Sequence, residues 1–489
     1  MNPAPFFLTF RARYAIILKI NINETEKLKK MSEIVKENKM GTMKVPKLLY
    51  TVSLPIIISM LVQALYNIVD SIFVASYNNV QGTGALTLAF PIQNLLLAVS
   101  IGLAVGINAL LSRSLGQKNF EKADKVAGQG FFLMFCGYVL FFVFGTFFSG
   151  MYAASQSAGD ALLSDYTHEY VSIVSVGSVF VFVQILGERL LQATGKSVLS
   201  MITQGIGAIV NIILDPILIF GYFGLPEMGI RGAAIATIIG QFVAAVLAML
   251  FNVFFNKEIT IKFKNFLPDF TLIKEILIIS IPSVLMQAIG TVMTLCMNII
   301  LIGFSQTALN VFGVYFKLQS FVFMPVLGLN NGMVPILSYN YGAKKRKRVF
   351  DTMKLSYFTA IAYTVICLLV CQLFPGALLS IFNATDEMIV LGTSALRTIS
   401  WSFLFAGFSI VSISSCQALG KSIYGLFVSI GRQLVILIPA AFLLSLTGKA
   451  TAVWWAFPIA ELASLMLCAF FVINTLKAAF PKNASEIAK

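Results

Sequence analysis

Four acidic residues lie within long apolar stretches of the chain: Asp70, Glu188, Asp215 and Glu461. An ionised carboxylate at the centre of a membrane costs roughly 2.5–3.5 kcal/mol on insertion scales, so it is retained where it has a partner or a task. Buried acids of this kind can bind a proton, a small cation or a cationic organic molecule.

Two of these acids each complete a polar stripe at helical spacing. Residues three and four apart share one face of an α-helix. The first stripe is Gln63, Tyr66, Asn67 and Asp70, and the second is Gln204, Asn211 and Asp215. Both acids lie at a similar depth from the same end of their apolar stretches, so the two stripes can face each other.

Neither Asp70 nor Asp215 has a Lys or Arg in its own apolar stretch. Without a cationic partner, desolvation and the like charge of the other acid favour the protonated carboxyl, and a bound proton or Na⁺ relieves the same cost. The two stripes therefore predict a site for a coupling ion. The alternative is that neighbouring amides hold both carboxyls protonated and that the acids serve packing alone.

Glu188 is followed by Arg189 near the end of its apolar stretch. In one interpretation it lines a polar vestibule together with Gln184, one helical turn earlier. In the other, Glu188 and Arg189 form a solvated pair at the membrane surface.

Glu461 has two candidate partners at comparable depth, Arg397 and Arg432. A buried charge is tolerated when it is paired, so we expect a structural ion pair between Glu461 and one of these arginines. A role in substrate binding is the alternative.

The stretches that carry these residues are long enough to cross a bilayer. Hydrophobic residues make up 58% of the 489 and charged residues 11%, so the chain cannot cover its apolar surface in water. A helix of about 20 apolar residues crosses the hydrocarbon core. We predict an all-α polytopic membrane protein with twelve transmembrane spans, numbered here in chain order. The predicted spans are 50–77, 83–114, 124–153, 165–194, 198–223, 231–256, 271–304, 308–340, 349–378, 387–419, 422–447 and 450–478.

The basic residues that give the chain its net charge of +14 concentrate in the connections after even-numbered spans. The densest run, Lys344 to Arg348, follows span 8. By the positive-inside rule this pattern predicts a multi-pass protein of the inner (plasma) membrane with both termini in the cytoplasm. A basic run in such a short loop does not indicate nucleic-acid binding, so we expect the lipid bilayer, and no nucleic acid, as a partner.

The sequence offers little for metal or catalytic chemistry. Its six cysteines lie in apolar spans, and its one histidine, His168, is assigned to an outside loop. Neither a metal cluster nor a nucleophile with its base is expected, so we predict a transporter and not an enzyme.

An internal repeat divides the chain into two parts. The matching segments are Ser53-Leu54-Pro55 with Ser280-Ile281-Pro282, Gly102 and Gly106 with Gly328 and Gly332, and Gln192 to Ser197 with Gln417 to Ser422. Two parallel copies of a six-span unit explain the repeat, and rocking of the copies gives alternating access. We predict two pseudo-symmetric lobes, an N-lobe at 46–258 and a C-lobe at 259–489, after a cytoplasmic extension at 1–45. The glycines are expected to allow close helix packing within each lobe.

Taken together, these features resemble the multidrug and toxic compound extrusion (MATE) family over about residues 44–480. The motifs that carry the resemblance are Ser53-Leu54-Pro55 with Asp70, Gly102 to Gly116, Gln192 to Ser197, Asn211 with Asp215-Pro216, and Gly232 to Thr237. The resemblance implies a cation-coupled antiporter that exports organic, mostly cationic, compounds in exchange for H⁺ or Na⁺.

The resemblance also implies roles for single residues. In the bacterial branch with an N-lobe cation site, the matching residues are Asp70, Asn211 and Asp215, with Thr237 as a further polar ligand. Na⁺ at this site is then the only metal ion expected, with no other cofactor, and we expect a monomer. The substrate cavity of the N-lobe is predicted to be lined by Gln63, Tyr66, Asn67, Gln184, Glu188 and Gln204.

A lipid-linked oligosaccharide flippase of the same superfamily is the alternative function. Such proteins share the two-lobed plan but need a basic central cavity for pyrophosphate. Arg397 and Arg432 keep this alternative open, whereas the N-lobe offers acids and amides.

Overall fold

The computed structural model describes residues 38–77, 81–157, 159–382 and 385–481. Within these ranges the regular structure is entirely helical. Eleven helices are long and apolar enough to cross a membrane, and one bent pair supplies a twelfth span. The prediction of an all-α polytopic membrane protein is confirmed. Most of the predicted extension at 1–45 lies outside the described residues.

Spans 1 to 6 make up the first half of the bundle. Span 1 is Val45–Tyr77, span 2 is Gln81–Gly116, span 3 is Phe120–Val143 continued by Phe144–Phe148 and Ser149–Gln156, span 4 is Ala161–Val176 with Val179–Ala193, span 5 is Ser197–Phe220, and span 6 is Gly229–Phe255. Span 1 begins five residues before the predicted start at residue 50.

Spans 7 to 12 make up the second half. Span 7 is Phe270–Ile302, span 8 is Gln306–Gly342, span 9 is Arg346–Leu373, span 10 is Asp386–Ile399, Ser400–Ser402 and Phe403–Ala418, span 11 is Ser422–Ile430, Gly431–Leu437 and Ile438–Ser445, and span 12 is Ala450–Val453 with Ala456–Ala479.

Several spans contain breaks that the sequence did not predict. Span 4 bends by 44° between its two helices. Span 3 contains a π-helical turn at Phe144–Phe148, and span 11 contains a longer one at Gly431–Leu437. A π-helical turn holds more residues per turn than an α-helix, so it changes which side chains face a neighbour; such turns occur frequently at functional sites.

The repeated motif at the ends of spans 4 and 10 has a conformational cause. Gly195 and Gly420 adopt left-handed backbone angles, with φ of 80° and 82°. Glycine adopts this conformation without the steric cost that a Cβ brings, and it commonly ends helices in this way. The motif therefore fixes the same helix end and the same turn into the following span in both halves.

The two halves meet through spans 1 and 2 on one side and spans 7 and 8 on the other. The contact is pseudo-symmetric: Ser53 Oγ donates to the Leu329 carbonyl at 3.2 Å, and Ser280 Oγ donates to the Leu103 carbonyl at 3.1 Å. Four of the repeated glycines lie at these crossings, where a Cβ at Gly102 or Gly106 would meet span 7 and one at Gly328 or Gly332 would meet span 1.

The expectation that these glycines allow close packing within each lobe was therefore wrong. They allow close packing between the halves. Helical spacing identifies the face on which a small residue lies, but it does not identify the helix that the face contacts.

The tightest contacts between the halves lie at one end of the bundle, which we call the basic end. It carries the connections 117–119, 194–196, 256–269 and 343–345, where many of the lysines are found. Here Lys122 Nζ lies 2.7 Å from Glu275 Oε2, and the Arg113 guanidinium lies 4.8 Å from the centre of the Tyr341 ring. Gly116 packs on the Tyr339 carbonyl. These contacts close the bundle at its basic end.

Candidate functional site

A cavity of about 540 Å³ lies between the two halves, beyond the closed basic end. Spans from both halves contribute to its wall, and many of the lining side chains are polar. The charged and amide residues on the wall of the first half are Gln63, Asp70, Gln93, Asn94, Gln184, Glu188, Arg189, Gln192, Gln204, Asn211 and Gln241, and those of the second half are Gln287, Asn330, Asn331, Gln417 and Arg432. A cavity of this size and mixed polarity suits a small organic molecule.

Spans 1 and 5 pack along each other and bring the two predicted acids together. Asp70 lines the cavity and is almost fully buried, whereas Asp215 is completely buried behind the wall. The two carboxyl groups are close enough for their charges to interact, and Tyr66 is near both. Among the described residues, neither acid forms an ion pair with a Lys or Arg side chain.

Three oxygen atoms at this site are buried without a hydrogen-bond partner: Asp70 Oδ1, Asp215 Oδ2 and Asn211 Oδ1. Asn211 Nδ2 donates to Asp215 Oδ1 at 3.2 Å. Native proteins pair nearly all of their buried polar atoms, so three unsatisfied acceptors at one place require a donor or a cation. A proton on a carboxyl, or Na⁺ held by oxygen ligands, satisfies that requirement.

Small residues allow span 6 to approach this site closely. A Cβ on Gly207 would meet the Gly240 carbonyl, and one on Gly240 would meet the Gly207 carbonyl. Thr237 lies one turn before Gly240 and lines the cavity beside Asn211 in the wall. Pro216 follows Asp215 inside span 5 and cannot donate a helical hydrogen bond to the Ile212 carbonyl one turn earlier.

The two polar stripes are also joined nearer the basic end. Gln204 Nε2 donates to Gln63 Oε1 at 2.8 Å, so spans 1 and 5 are linked by hydrogen bonding as well as by packing. Gln63, Tyr66 and Gln204 all line the cavity. The side chain of Asn67 lies outside the described part of the structure.

Glu188 lines the cavity and is buried. Its Oε1 accepts hydrogen bonds from Gln184 Nε2 at 3.0 Å and from Thr203 Oγ1 at 3.5 Å. The adjacent Arg189 donates from Nη1 to Gln192 Oε1 at 2.8 Å. Of the two interpretations of Glu188, the structure supports the polar vestibule, because a solvated surface pair would leave Glu188 exposed.

In the second half, Glu461 pairs with Arg432 at 2.6 Å between Oε1 and Nη1. The inclusion of Arg397 as a candidate for this pair was wrong. Arg397 is exposed and lies in the last turn of the first helix of span 10, where its charge is favourable at a helix C-terminus. Arg432 additionally lines the cavity, which the sequence did not predict.

Sequence reasoning also missed a polar pair in the first half. Gln93 Nε2 donates to the Tyr170 hydroxyl at 3.0 Å, and both residues line the cavity near Asp70. A signal for Tyr170 was present: Tyr170, Val174, Val181, Gln184 and Glu188 follow one another at helical spacings of four, seven, three and four residues, and all of them line the cavity.

Within the described ranges, no group of three or more His, Cys, Asp or Glu residues could hold a metal ion. The donor set at Asp70, Asp215 and Asn211 consists of oxygen atoms only, with two carboxylates. Such a set fits a proton or a hard monovalent cation better than a transition metal, which prefers nitrogen or sulfur ligands.

The MatE family model matches the chain twice, at residues 55–217 and 282–443. Among curated proteins, the chain is 28% identical over 423 residues to the multidrug export protein MepA of Staphylococcus haemolyticus, covering 86% of this chain and 92% of that protein. The corresponding protein of Staphylococcus aureus strain RF122 is 26% identical over 435 residues, covering 89% and 95%.

Solved structures show the same fold. A crystal structure of MATE in complex with MaL6 superposes with a TM-score of 0.84 at 22% identity, covering 91% of this chain and 99% of that one. An outward-facing multidrug resistance MATE family transporter superposes with a TM-score of 0.84 at 21% identity, with the same coverage.

Proposed function

Because the chain belongs to the MatE family, whose members are membrane transporters and not enzymes, we propose that it is a multidrug exporter driven by H⁺ or Na⁺. It carries organic, mostly cationic, compounds out of the cell across the plasma membrane. The proposal draws on its relatives in two Staphylococcus species, which are named multidrug export proteins. It also draws on the cavity, whose first-half wall carries two buried acids, Asp70 and Glu188.

The observation that carries the coupling mechanism is the set of unsatisfied oxygens at Asp70, Asp215 and Asn211. Only Asp70 of the two acids reaches the cavity, so a cationic compound can compete with the ion there while Asp215 stays enclosed. When the ion occupies the site, the cationic compound binds more weakly. When the compound is bound, the ion binds more weakly. The coupling free energy equals the difference in ion-binding free energy between the compound-free and compound-bound protein. The compound's binding free energy differs by the same amount between the ion-free and ion-bound protein.

The arrangement of the halves supports alternating access. The bundle is closed at its basic end by interlocking glycines and by the Lys122–Glu275 pair, and the cavity lies beyond that closure. We place the basic end in the cytoplasm by the positive-inside rule, so that this conformation faces outward. Rocking about the contact between the halves would expose the same cavity to the cytoplasm.

The test is transport by purified protein in vesicles. An imposed pH gradient and an imposed Na⁺ gradient are applied separately, and accumulation of a fluorescent organic cation is followed. Asp70→Asn and Asp215→Asn should each abolish gradient-driven accumulation while the protein remains folded. The exposed Asp165 provides the matched control, because Asp165→Asn removes the same charge outside the cavity. Full accumulation by Asp70→Asn would show that the coupling site is elsewhere.

The flippase alternative gains no support from the relatives, which are drug exporters by name. The cavity does carry Arg189 and Arg432, but it carries Asp70 and Glu188 as well, and these acids oppose a pyrophosphate.

A further inference from the structure

The wall that the second half contributes to the cavity has a charge opposite to that of the coupling site. Arg432 is the charged residue of this wall, among the residues described, whereas the first half presents Asp70 and Glu188. Building on the export function proposed above, we propose that Arg432 binds a carboxylate of the transported compound. The cavity then accepts zwitterions whose cationic end faces the acids of the first half.

The position of Arg432 supports this assignment. It lies in the π-helical turn Gly431–Leu437 of span 11, and its side chain is 23% exposed, against 12% for that of Glu461. Glu461 projects from span 12 and does not belong to the cavity wall. Arg432 is therefore the member of the pair that a molecule in the cavity can contact.

The guanidinium also has donors to spare. An arginine has five N–H donors in a planar fork. In the described chain, Arg432 donates only from Nη1, to Glu461 Oε1. A planar fork that is held at one edge by a carboxylate can bind a second carboxylate with its remaining N–H groups, which a lysine ammonium does not do with the same geometry.

Unsatisfied atoms surround the pair. Arg432 Nε, Glu461 Oε2 and the Tyr315 hydroxyl are all buried without a hydrogen-bond partner. Tyr315 is close enough to interact with the charges of both Arg432 and Glu461. A closed structural ion pair would be expected to satisfy its own polar atoms, so this cluster indicates a site that binds an additional polar group or water.

Arg189 is the competing cation on the cavity wall. It donates to Gln192 at 2.8 Å, and the carboxylate of the adjacent Glu188 lies on the same wall. A substrate carboxylate at Arg189 would therefore be repelled by Glu188 at close range. At Arg432 the paired acid, Glu461, does not line the cavity, and this difference favours Arg432.

Glu461 acts as a positioning residue in this account. It holds the guanidinium in one orientation and does not contact the substrate. Removing Arg432 alone would leave Glu461 as an unpaired buried charge and destabilise the fold. The informative variants are therefore Arg432→Lys, which keeps the charge, and the double variant Arg432→Gln with Glu461→Gln, which replaces the ion pair by two amides.

The test uses two dyes that differ in one group. Rhodamine 110 is a zwitterion with a free carboxylate, and rhodamine 123 is its methyl ester and a cation. Fluorescence polarisation of each dye with the purified full-length protein gives two dissociation constants and their ratio. We expect both variants to weaken binding of the zwitterion relative to the ester by roughly tenfold or more, since a charge-assisted hydrogen bond is lost or misplaced. Arg397→Gln, on an exposed arginine outside the cavity, should leave the ratio unchanged.

Three results would overturn the inference. The first is an unchanged ratio in the double variant, and the second is an equal loss of affinity for both dyes, which would indicate a structural role only. The third is a change in the ratio of the two dissociation constants in Arg189→Gln but not in the Arg432 variants. Because the readout is the ratio of two dissociation constants measured at one pH and one Na⁺ concentration, it does not require gradient-driven transport. A protein that shows the altered ratio but no gradient-driven transport would refute the proposed function and leave the subsite in place.

Discussion

Replacing Gly106 by alanine should shift the protein toward the conformation that is open at the basic end. A Cβ at this position would lie 2.1 Å from Ser280 Oγ and 2.7 Å from the Ile276 carbonyl oxygen. The serine hydroxyl can rotate away, but the carbonyl is part of the span 7 backbone. Since non-bonded carbon contacts are comfortable at about 3.5–4.0 Å, spans 2 and 7 must separate by about 1 Å.

The expected cost follows from this overlap. Overpacking of a tight contact costs typically about 1–3 kcal/mol. This energetic cost applies only to the conformation in which the basic end is closed, because spans 2 and 7 make this contact in that conformation. A shift of 1.4 kcal/mol changes a conformational equilibrium tenfold, so Gly106→Ala should favour the open state by roughly five- to a hundredfold. Gly332→Ala should act alike, since its Cβ would lie 2.3 Å from Ser53 Oγ and 2.8 Å from Ser53 Cα.

The measurement is the distance between spin labels at Gln117 and Lys347, in a background without the native cysteines. These two exposed positions lie in opposite halves at the basic end. Gly106→Ala should move most of the distance distribution to longer values. Gly313→Ala is the matched control, because no atom lies within 4 Å of a Cβ there. An unchanged distribution in both Gly106→Ala and Gly332→Ala would refute the view that these glycines hold the basic end closed.

Three further predictions concern other features of the structure. Gly195→Ala should lower thermal stability, because it imposes a Cβ at a φ of 80° and costs about 1–2 kcal/mol; Gly205→Ala, with open space around its Cβ, should be neutral or slightly stabilising in the same thermal unfolding assay. Glu188→Gln should weaken binding of dicationic compounds more than that of monocations, as measured by dye displacement, and equal losses for the two classes would contradict a charge role for this residue. Tyr170→Phe removes the acceptor of the Gln93 hydrogen bond and should raise the concentration for half-maximal transport several-fold, whereas an unaltered transport curve would show that this pair is not part of the binding wall.

Much of the architecture could be predicted from the sequence, because helices in a membrane satisfy their backbone hydrogen bonds internally and leave long apolar runs as a signature. The two polar stripes were predictable for the same reason: helical spacing determines which side chains share a face. Asp70 and Asp215 could be paired because polar faces avoid lipid and only a few helices carry them.

Other features depend on which helix neighbours which, and the sequence does not encode that directly. The choice between Arg397 and Arg432 required the orientation of two spans, each interrupted by a 3-10 or π-helical segment. These segments change the register by part of a turn, so a count of residues along an ideal helix places the side chains on the wrong face. The position of the repeated glycines between the halves was not predictable for the related reason that spacing does not name a partner helix.

The two halves share a scaffold but differ in their chemistry. The first half has two buried acids with unsatisfied oxygens and no ion pair to a described cationic side chain, so under the proposed coupling its charge changes when an ion binds. The second half has Glu461 paired with Arg432, and a pair of opposite charges keeps its net charge without binding an ion. In the proposed mechanism, the affinity of the cavity for a cationic or zwitterionic compound changes with ion binding at the first wall, while the charge of the second wall stays constant. Ion coupling therefore requires only one site, and the repeat need not duplicate it.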